Sequence, residues 1–531
     1  MPGKVLIIGL DGADWRLLKP YLDDGVMPNL AGMVETGISG PLRSTIPTNS
    51  SVAWNSFMTG RNPGRHGVFD FTQRSPSDPL RMVGVNSRTR RCDTFYDTLG
   101  RHGKRAGSIN VPITYPAFPI NGFMLGGMIV QEGRPFTYPE SLAAELAEKV
   151  GGFPVNKIRW RYMLGRMDAL LDEALVVTQQ RARVLEYLID RGDWDVLVQV
   201  FVSPDRLQHP LMHLLDPEHL RHDRALAHRL APKIQAVFKA MDDVIGRSRR
   251  QLGDEDTLMI ISDHGFRSVH KAIYVRDILA RHGLLRAARP RGQNRLTVRQ
   301  VARKVLRPLL PSSTYKAIAR AVPSNGNGKM PVGSPQEMAN LIWQQTQAYA
   351  TTVTSQAVYA NLAGREPFGV VSQGVEYERL LNRVEEILLA ERDPQDGSQV
   401  IEAVIRVKDF YSGEWVPQAP DLLFVPAKGY AAAKGAPAHL QPYEWFMGDH
   451  AMDGILAAAG AGVKRGARIQ NASLMDIAPT ALYLTGTPIP SDMDGRVLDL
   501  FADHRLIMTP PQFETAQVSY QSSAYDYTPE E

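Results

Sequence analysis

The chain begins with the short apolar stretch Val5-Leu6-Ile7-Ile8-Gly9, which leads into Leu10-Asp11-Gly12. A continuous apolar run of this length is typical of a strand that is buried on both faces, as in a parallel sheet. Two later stretches have the same form: Val196–Val202 precedes Ser203-Pro204-Asp205, and Leu258–Ile261 precedes Ser262-Asp263-His264. The sequence therefore predicts three buried strands, each followed by an aspartate at its carboxyl end.

Helical periodicity appears between these strands. Apolar residues recur at i, i+3 and i+4 in one such segment, at Ile234, Val237, Phe238, Met241, Val244 and Ile245. Alternating strands and helices predict an α/β fold, a three-layer α/β/α sandwich with a mostly parallel central sheet and inserted cap segments. Ligands of such sheets bind outside the carboxyl ends of the strands, where the aspartates are expected. Taken alone, each aspartate could equally cap a helix.

The length of 531 residues exceeds the size at which a single core usually stops growing, so we expect one large catalytic domain with insertions. Residues 1–275 are predicted to form the first part of the catalytic core, and residues 276–345 a basic inserted cap segment. Residues 346–505 are predicted to complete the core with small cap elements. Residues 506–531 are polar and are predicted to be a flexible tail.

The predicted cap segment is strongly basic, with no acidic residue between Asp277 and Glu337. Its charge invites two interpretations. It could attract a phosphorylated substrate or an anionic lipid surface, or bind nucleic acid. It could also be a solvated helix face, because Val298, Val301 and Val305 give it a packing side. Its cationic residues include Arg281, Arg286, Arg289, Arg291, Arg295, Arg299, Arg303, Lys304 and Arg307.

The composition excludes several classes of protein. A single cysteine, Cys92, rules out an intramolecular disulfide framework, and the N-terminus lacks a signal-peptide layout. A cytoplasmic location is therefore expected. The formal net charge of +4 is small and gives no indication of a polyanionic partner, so no stable nucleic-acid partner is predicted. Peripheral membrane contact through the basic segment stays open, and the sequence does not fix the oligomeric state.

The residues that follow the strands suit metal binding. Asp205 and His209 are four apart, so one helical turn places a carboxylate and an imidazole on the same side. Asp263 and His264 are adjacent, and a further histidine, His450, follows Gly448-Asp449. With Asp11, the set holds three aspartates and three histidines. Two zinc ions would need that number if each took about three protein ligands and kept a position open for substrate.

A candidate nucleophile lies between the first two ligands. The stretch Pro47-Thr48-Asn49-Ser50 places hydroxyl residues ahead of a helical run. A helix N-terminus presents backbone N–H groups and a positive dipole, which favour an anionic phosphate. Both Thr48 and Ser50 are candidates on this basis.

These motifs resemble the alkaline phosphatase superfamily, and specifically its type I phosphodiesterase and nucleotide pyrophosphatase branch. That branch carries Asp-Gly after the first strand, Pro-Thr-x-Thr/Ser before a helix, Thr-Gly-x-x-Pro-x-x-His-Gly, Pro-Asp-x-x-x-His, Ser-Asp-His-Gly and a late Gly-x-His. The resemblance spans roughly residues 4–275 and 346–500. The matching segments here are Asp11-Gly12, Pro47–Ser50, Thr59–Gly67, Pro204–His209, Ser262–Gly265 and Gly448–His450.

The resemblance implies a site for two divalent metal ions and a role for each candidate. One ion would be held by Asp205, His209 and His450. The other would be held by Asp11, Asp263, His264 and the hydroxyl of Ser50. Zinc is the metal expected for the family, with manganese or iron as alternatives. Ser50 would be the nucleophile, and a phosphoserine intermediate would follow.

One position departs from the nucleotide-processing relatives of this branch. They place an asparagine shortly after His-Gly to contact the phosphoryl group, and the matching residue here is Phe71. The Asn49 side chain or backbone N–H groups near Ser50 could substitute, and Asn49 is the candidate substrate-binding residue. The leading prediction is therefore a phosphodiesterase or nucleotide pyrophosphatase that acts on a small phosphate ester.

Three other functions remain open. Phosphonoacetate hydrolysis and phosphomonoester hydrolysis would use the same metal site and differ around the substrate. From another class, the chain could be a non-catalytic module that docks on an anionic partner or membrane. A complete nucleophile and ligand set favours an enzyme, because a descendant used only for binding should have lost part of it.

Overall fold

A computed structural model describes residues 3–75, 78, 80–128, 130–131, 133–155, 166–288, 338, 340–351, 356–433, 440–442, 447–501 and 511–515. The strands, in chain order, are β1 Val5–Leu10, β2 Ile38–Arg43, β3 Thr72–Arg74, β4 Met82–Gly84, β5 Ala106–Pro112, β6 Gly122–Gly127, β7 Thr137–Tyr138, β8 Val196–Phe201, β9 Thr257–Ile261, β10 Gly265–Ile273, β11 Ala348–Tyr349, β12 Ala357–Ala360, β13 Ile401–Arg406, β14 Leu422–Pro426, β15 Gly429–Ala432, β16 Gln441–Pro442, β17 Gly448–Ala451, β18 Asp453–Gly460, β19 Ala467–Arg468, β20 Ala472–Ser473, β21 Ile489–Pro490 and β22 Phe513–Glu514.

The α-helices are α1 Trp15–Asp23, α2 Pro28–Thr36, α3 Ser50–Thr59, α4 Pro63–His66, α5 Phe95–Arg101, α6 Leu142–Val150, α7 Met167–Arg191, α8 Ser203–Leu215, α9 Arg224–Gln251, α10 Val275–Arg281, α11 Val375–Ala390, α12 Val407–Phe410 and α13 Ile477–Leu484. Short 3-10 helices cover Trp343–Gln345, Val416–Gln418 and Leu474–Asp476. Among the described residues, no helix combines the length and the apolar character that crossing a membrane requires.

The central sheet has ten strands in the order β19, β2, β18, β9, β1, β8, β5, β6, β7, with β20 also paired to β2. Strands β9, β1, β8, β5 and β6 run parallel to one another. Strand β18 is antiparallel to both of its neighbours, β9 and β2, and β7 is antiparallel to β6. The sheet is therefore mostly parallel, and the three predicted apolar strands, β1, β8 and β9, lie side by side at its centre.

Two hydrophobic cores cover the two faces of this sheet. In β1, Leu6 and Ile8 point into a core shared with α2, α7 and α9, whereas Val5 and Ile7 point into a core shared with α3, α5 and α13. This alternation follows from the two-residue period of a strand. Because both faces carry apolar side chains, every residue of β1 is buried. The predicted three-layer α/β/α architecture is confirmed.

The helical pattern predicted from the apolar spacing also lies where it was expected. Helix α9, Arg224–Gln251, contains all six residues of the pattern, and each of them is buried. The periodicity therefore identified both the helix and the face that it turns to the sheet.

A second, smaller core is formed mainly by residues that come between β9 and β18 in the sequence. Helices α10 and α11 pack there against the four-stranded sheet β11, β12, β14, β13. Residues on both sides of the predicted boundary at 345 and 346 share this core, among them Leu341 and Tyr349. The chain returns to the central sheet only at β18. Most of the basic segment, residues 289–337, and the tail beyond residue 515 lie outside the described residues, so the predictions about them stay predictions.

Candidate metal centre and nucleophile

The three predicted strand ends meet because β1 lies between β8 and β9. Leu10 is in register with Phe201 of β8, and Gly9 is in register with Ile261 of β9. Asp11 therefore leaves the sheet beside the start of α8, and its backbone oxygen accepts a hydrogen bond of 2.9 Å from the Asp205 amide. Parallel strands order the carboxyl ends side by side, which is why residues far apart in the sequence converge here.

The first cluster joins Asp205, His209 and His450. Asp205 and His209 lie in the first half of α8, one turn apart, and Oδ1 of Asp205 is 3.2 Å from Nε2 of His209 and 3.4 Å from Nε2 of His450. The two Nε2 atoms are 3.2 Å from each other. His450 reaches the cluster from β17, which pairs antiparallel with β10 so that His450 lies opposite Phe266.

The second cluster joins Asp11, Asp263 and His264, all of which are fully buried. Nε2 of His264 is 3.3 Å from Oδ2 of Asp263 and 3.8 Å from Oδ1 of Asp11. In each cluster the three candidate ligand atoms lie within 4.8 Å of one another. The clusters adjoin, because the rings of His264 and His450 stack with their centroids 3.8 Å apart.

The three histidines are oriented in the same way, because each uses its Nδ1 atom to donate a hydrogen bond to a backbone carbonyl oxygen. Nδ1 of His209 donates to the Gly448 carbonyl oxygen at 2.9 Å, Nδ1 of His264 to that of Gly265 at 3.0 Å, and Nδ1 of His450 to that of Thr48 at 2.5 Å. Because a carbonyl oxygen can only accept, Nδ1 carries the proton in each neutral ring. Each Nε2 therefore offers a lone pair to its cluster, as backbone-oriented metal-binding histidines do.

The carboxylates fit metal ions as well. Oδ1 of Asp11 and Oδ2 of Asp263 are buried and have no hydrogen-bond partner among the described residues. A buried carboxylate oxygen without a partner is costly, so such atoms usually accept from a donor or bind a cation. Two such oxygens, together with three Nε2 atoms that face the clusters, form a donor set of the kind that zinc prefers. The residues present therefore fit the two cations that the resemblance implied.

The protonation preferences of the site reflect burial and its crowded charges. Burial, with the negative charges of Asp263 and Asp205, raises the pKa of Asp11 well above its usual value. Burial likewise raises the pKa of Asp263 to about 7. For His450, burial opposes the charged form, but the hydrogen bond that a protonated Nε2 donates to Asp205, with nearby aspartates, raises its pKa to about 9. A cation bound to the neutral ring would take the place of that proton. The buried carboxylates therefore make the centre favour a bound proton or cation.

Ser50 is the first residue of α3, and its side chain faces the second cluster. Its Oγ atom lies 3.3 Å from Nε2 of His264, and the residue is only 3% exposed. The preceding residue, Asn49, caps the helix: Oδ1 of Asn49 accepts from the Val52 amide at 3.0 Å and from the Ser51 hydroxyl at 2.7 Å. Ser50 is therefore at a helix N-terminus, as predicted.

Two aromatic residues of the site were not recognised from the sequence. Nε1 of Trp54, in α3, donates to Oδ2 of Asp11 at 3.4 Å. The ring of Phe266 lies 4.8 Å from that of His209 and 5.5 Å from that of His450, measured between centroids. Phe266 directly follows the motif Ser262–Gly265, which is the only signal that could have pointed to it.

Gly12 is needed for the approach of Asp263. Its φ of +74° lies in the left-handed region that favours glycine. A Cβ atom there would lie 3.1 Å from both Nε2 of Gln208 and the ring of Phe266. The Gly12 amide donates to Oδ1 of Asp263 at 3.2 Å, which holds one carboxylate oxygen and leaves Oδ2 towards the cluster.

The motif Thr59–Gly67 supports the nucleophile helix from behind. His66 is fully buried, and its Nε2 lies 2.9 Å from the hydroxyl oxygen of Ser56 in α3. Arg61 forms an ion pair with Asp492, and Arg65 forms one with Asp494 at 3.1 Å. This histidine therefore makes a structural hydrogen bond and takes no part in either cluster.

One protein family matches most of the sequence. The family described as "type I phosphodiesterase / nucleotide pyrophosphatase" matches residues 5–453, and this span includes Ser50 and all six candidate ligands. No curated protein sequence matches the chain.

Solved structures show a similar fold. Human ectonucleotide pyrophosphatase/phosphodiesterase 5 is 13% identical, with a TM-score of 0.49 over 94% of this chain and 100% of that one. Phosphonoacetate hydrolase from Sinorhizobium meliloti 1021, in complex with phosphonoformate, is 12% identical, with a TM-score of 0.50 over 92% of this chain and 96% of that one. The family match covers most of the sequence, and the chain therefore belongs to the type I phosphodiesterase/nucleotide pyrophosphatase family.

Proposed function

We propose that the protein hydrolyses phosphodiester or pyrophosphate bonds through a phosphoserine intermediate on Ser50, with one divalent cation in each cluster. The observation that carries this proposal is the position of the Ser50 hydroxyl. It lies at the N-terminus of α3, 3.3 Å from Nε2 of His264 and beside two buried clusters of three ligands each. A nucleophile at this place could be activated and could receive an anionic phosphoryl group at the same time.

Each of the two clusters would bind one cation. Asp205, His209 and His450 would bind one ion, and Asp11, Asp263, His264 and the Ser50 hydroxyl would bind the other. Zinc suits the mixed carboxylate and imidazole ligands, and manganese or iron are the alternatives. Bound cations supply Lewis-acid polarisation of the phosphoryl group and favour deprotonation of an attacking hydroxyl at neutral pH.

The residues of the chain account for the covalent steps. In the first step, the Ser50 hydroxyl releases its proton to solvent and Oγ forms a bond to phosphorus, while the bond from phosphorus to the leaving oxygen breaks and that oxygen takes a proton from solvent. In the second step, a water molecule releases a proton and its oxygen bonds to phosphorus, while the Oγ–P bond breaks and Oγ takes up a proton, which restores the Ser50 hydroxyl. Backbone N–H groups and the dipole at the start of α3 stabilise the negative phosphoryl oxygens throughout.

Substrate recognition is proposed to involve Asn49 in place of the asparagine that Phe71 replaces. Because Oδ1 of Asn49 already accepts two hydrogen bonds within the helix cap, its Nδ2 group is the part that would contact a phosphoryl oxygen. A small phosphate ester is therefore the proposed substrate class.

The test compares bis-p-nitrophenyl phosphate with p-nitrophenyl phosphate as substrates. We expect faster turnover of the diester, loss of activity after chelation, and recovery with zinc or manganese. Ser50→Ala should lower the rate at least about a thousandfold, whereas Thr48→Val, which removes the other candidate hydroxyl, should keep most of it.

Three outcomes would change the proposal. Preference for the monoester would keep the site and change the substrate class. Activity lost in Thr48→Val but kept in Ser50→Ala would move the nucleophile. Folded protein without turnover under any of these metals would contradict hydrolysis of phosphate esters and favour a phosphonate substrate or a docking role.

A further inference from the structure

A buried histidine outside both clusters connects the chain segments that carry their ligands. His219 follows α8 and is 3% exposed. Its Nε2 atom lies 3.2 Å from the carbonyl oxygen of Val269 and 3.1 Å from that of Met447. Its Nδ1 atom accepts a hydrogen bond of 3.0 Å from the Arg221 amide. Because Nδ1 accepts, Nε2 carries the proton and donates to both carbonyl oxygens.

The two carbonyl oxygens belong to segments that place metal ligands. Val269 is in β10, the strand that starts directly after His264 and pairs with β17. Met447 comes directly before β17, three residues ahead of His450. The Val269 amide also donates to the Met447 carbonyl oxygen at 2.9 Å. His219 therefore reinforces the junction at which β17 joins β10.

The same junction determines where His209 lies. The Met447 amide donates to the His209 carbonyl oxygen at 2.7 Å, and the next carbonyl oxygen, that of Gly448, accepts from Nδ1 of His209. A shift of Met447 would therefore change the position of His209 and of His450 together. The 3.2 Å separation of their Nε2 atoms depends on this backbone.

A neighbouring contact fixes the loop on which His219 lies. Asp216 accepts hydrogen bonds from the Ser268 hydroxyl at 2.5 Å and from the guanidinium of Arg16 at 3.1 Å. Ser268 is the residue before Val269, so the loop after α8 is attached to β10 at two successive positions. His219 is thus held independently of the contacts that it makes with Met447.

We propose that His219 is a positioning residue for the cluster of Asp205, His209 and His450, and that it sets the affinity of this cluster for its cation through the Met447 carbonyl oxygen. This inference rests on the proposed two-metal function. The second cluster should depend on it less, because Asp11 and Asp263 follow the central strands β1 and β9, and His264 lies before the first residue of β10, away from Val269 and the Met447 contact, where its Nδ1 is held by the Gly265 carbonyl oxygen. Loss of the Nε2 donor should weaken one site by about tenfold, the lower end of the range for residues behind metal ligands.

Two substitutions separate the roles of the two ring nitrogens. In His219→Gln, the side-chain amide reaches the position of Nε2 and can still donate to Met447. In His219→Asn, the shorter amide can keep the contact with the Arg221 amide but cannot reach Met447. His228→Asn, on the exposed face of α9, is the matched surface control.

The experiment measures zinc bound per chain and the zinc Kd, by competition with a chromogenic chelator, in the full-length protein. We expect two zinc ions in the wild type, in His219→Gln and in His228→Asn. We expect His219→Asn to keep one ion tightly and to bind the other about tenfold more weakly, with kcat recovered at high zinc concentration.

The proposal is overturned if His219→Asn binds both ions as the wild type does, weakens both sites equally, or fails to fold. It is also overturned if His219→Gln behaves as His219→Asn does. Failure of the proposed function would look different: the wild type would then bind no zinc or hydrolyse no phosphate ester.

Discussion

Nδ1 of His450 donates a hydrogen bond of 2.5 Å to the backbone carbonyl oxygen of Thr48, two residues before Ser50. This contact joins the last candidate ligand in the sequence to the turn that carries the candidate nucleophile. Its neighbour Nε2 lies 3.4 Å from Oδ1 of Asp205. The imidazole ring of His450 therefore contacts both the turn before Ser50 and the first cluster, so a shift of this ring would affect both.

Replacing His450 should remove one bound metal ion without unfolding the protein. His450→Ala removes one candidate ligand and the hydrogen bond to Thr48, so we expect one zinc ion per chain instead of two and a fall in kcat/KM of at least about a hundredfold. Metal analysis and steady-state kinetics measure both effects. His222→Ala, in the loop after α8, is the control and should retain two ions. Full zinc content in His450→Ala would remove His450 from the ligand set.

Spacing and residue type were enough to predict that the three candidate aspartates converge here. Apolar strands followed by Asp11, Asp205 and Asp263 predicted both the parallel sheet and the edge at which these carboxylates meet. The contacts that orient the site could not be predicted in the same way. The Thr48, Gly265 and Gly448 oxygens that accept from the histidines are backbone atoms, which every residue type supplies.

Other features depended on contacts between distant segments. The antiparallel strand β18 lies between β2 and β9, and nothing in its small, apolar sequence distinguishes it from a parallel strand. The helix-capping role of Asn49 likewise required the position of Val52. The cytoplasmic location and the contact of the basic segment with a membrane stay predictions.

Gly448 should be intolerant of any side chain. A Cβ atom there would lie 2.8 Å from Cβ of Met212 and 3.0 Å from the carbonyl oxygen of Gln208, both in α8. Gly448→Ala must therefore move β17 away from α8, and with it His450 away from His209. We expect at least a tenfold weaker zinc site, on the scale of other changes behind metal ligands. Gly84→Ala, at the end of β4 with no atom within 4 Å of the added Cβ and without a positive φ, controls for loss of a glycine. An unchanged zinc Kd in Gly448→Ala would show that α8 and β17 can separate without cost to the site.

Asp242 should contribute to stability without affecting the site. From α9 it accepts hydrogen bonds from the backbone amides of Asn29 and Leu30, at 3.0 and 2.8 Å, and so caps the N-terminus of α2. Asp242→Ala leaves these buried amides without an acceptor, which should lower the free energy of unfolding by about 1–3 kcal/mol. Asp243→Ala, which removes only an exposed pair with Lys239, should cost about 0.5 kcal/mol or less. Urea titration measures both, and equal losses would contradict the capping role.

His66 should make stability depend on pH in a direction that its burial fixes. Burial, with the charges of Arg90 and Arg61, lowers the pKa of His66 to about 3 in the folded protein, whereas an unfolded histidine titrates near 6.5. A depressed pKa means that the stability contributed by the neutral ring is present above about pH 6.5 and is lost as the pH falls towards 3. Between pH 7 and pH 5 the wild type should therefore lose about 2 kcal/mol that His66→Gln, which cannot titrate, does not lose. Urea unfolding of both proteins at the two pH values measures this difference, and activity at pH 7 in the folded variant shows whether the site is intact. A constant difference in stability across this range would mean that His66 has the same pKa in the folded and unfolded protein, which the hydrogen bond of 3.2 Å that its Nδ1 accepts from the Val68 amide argues against.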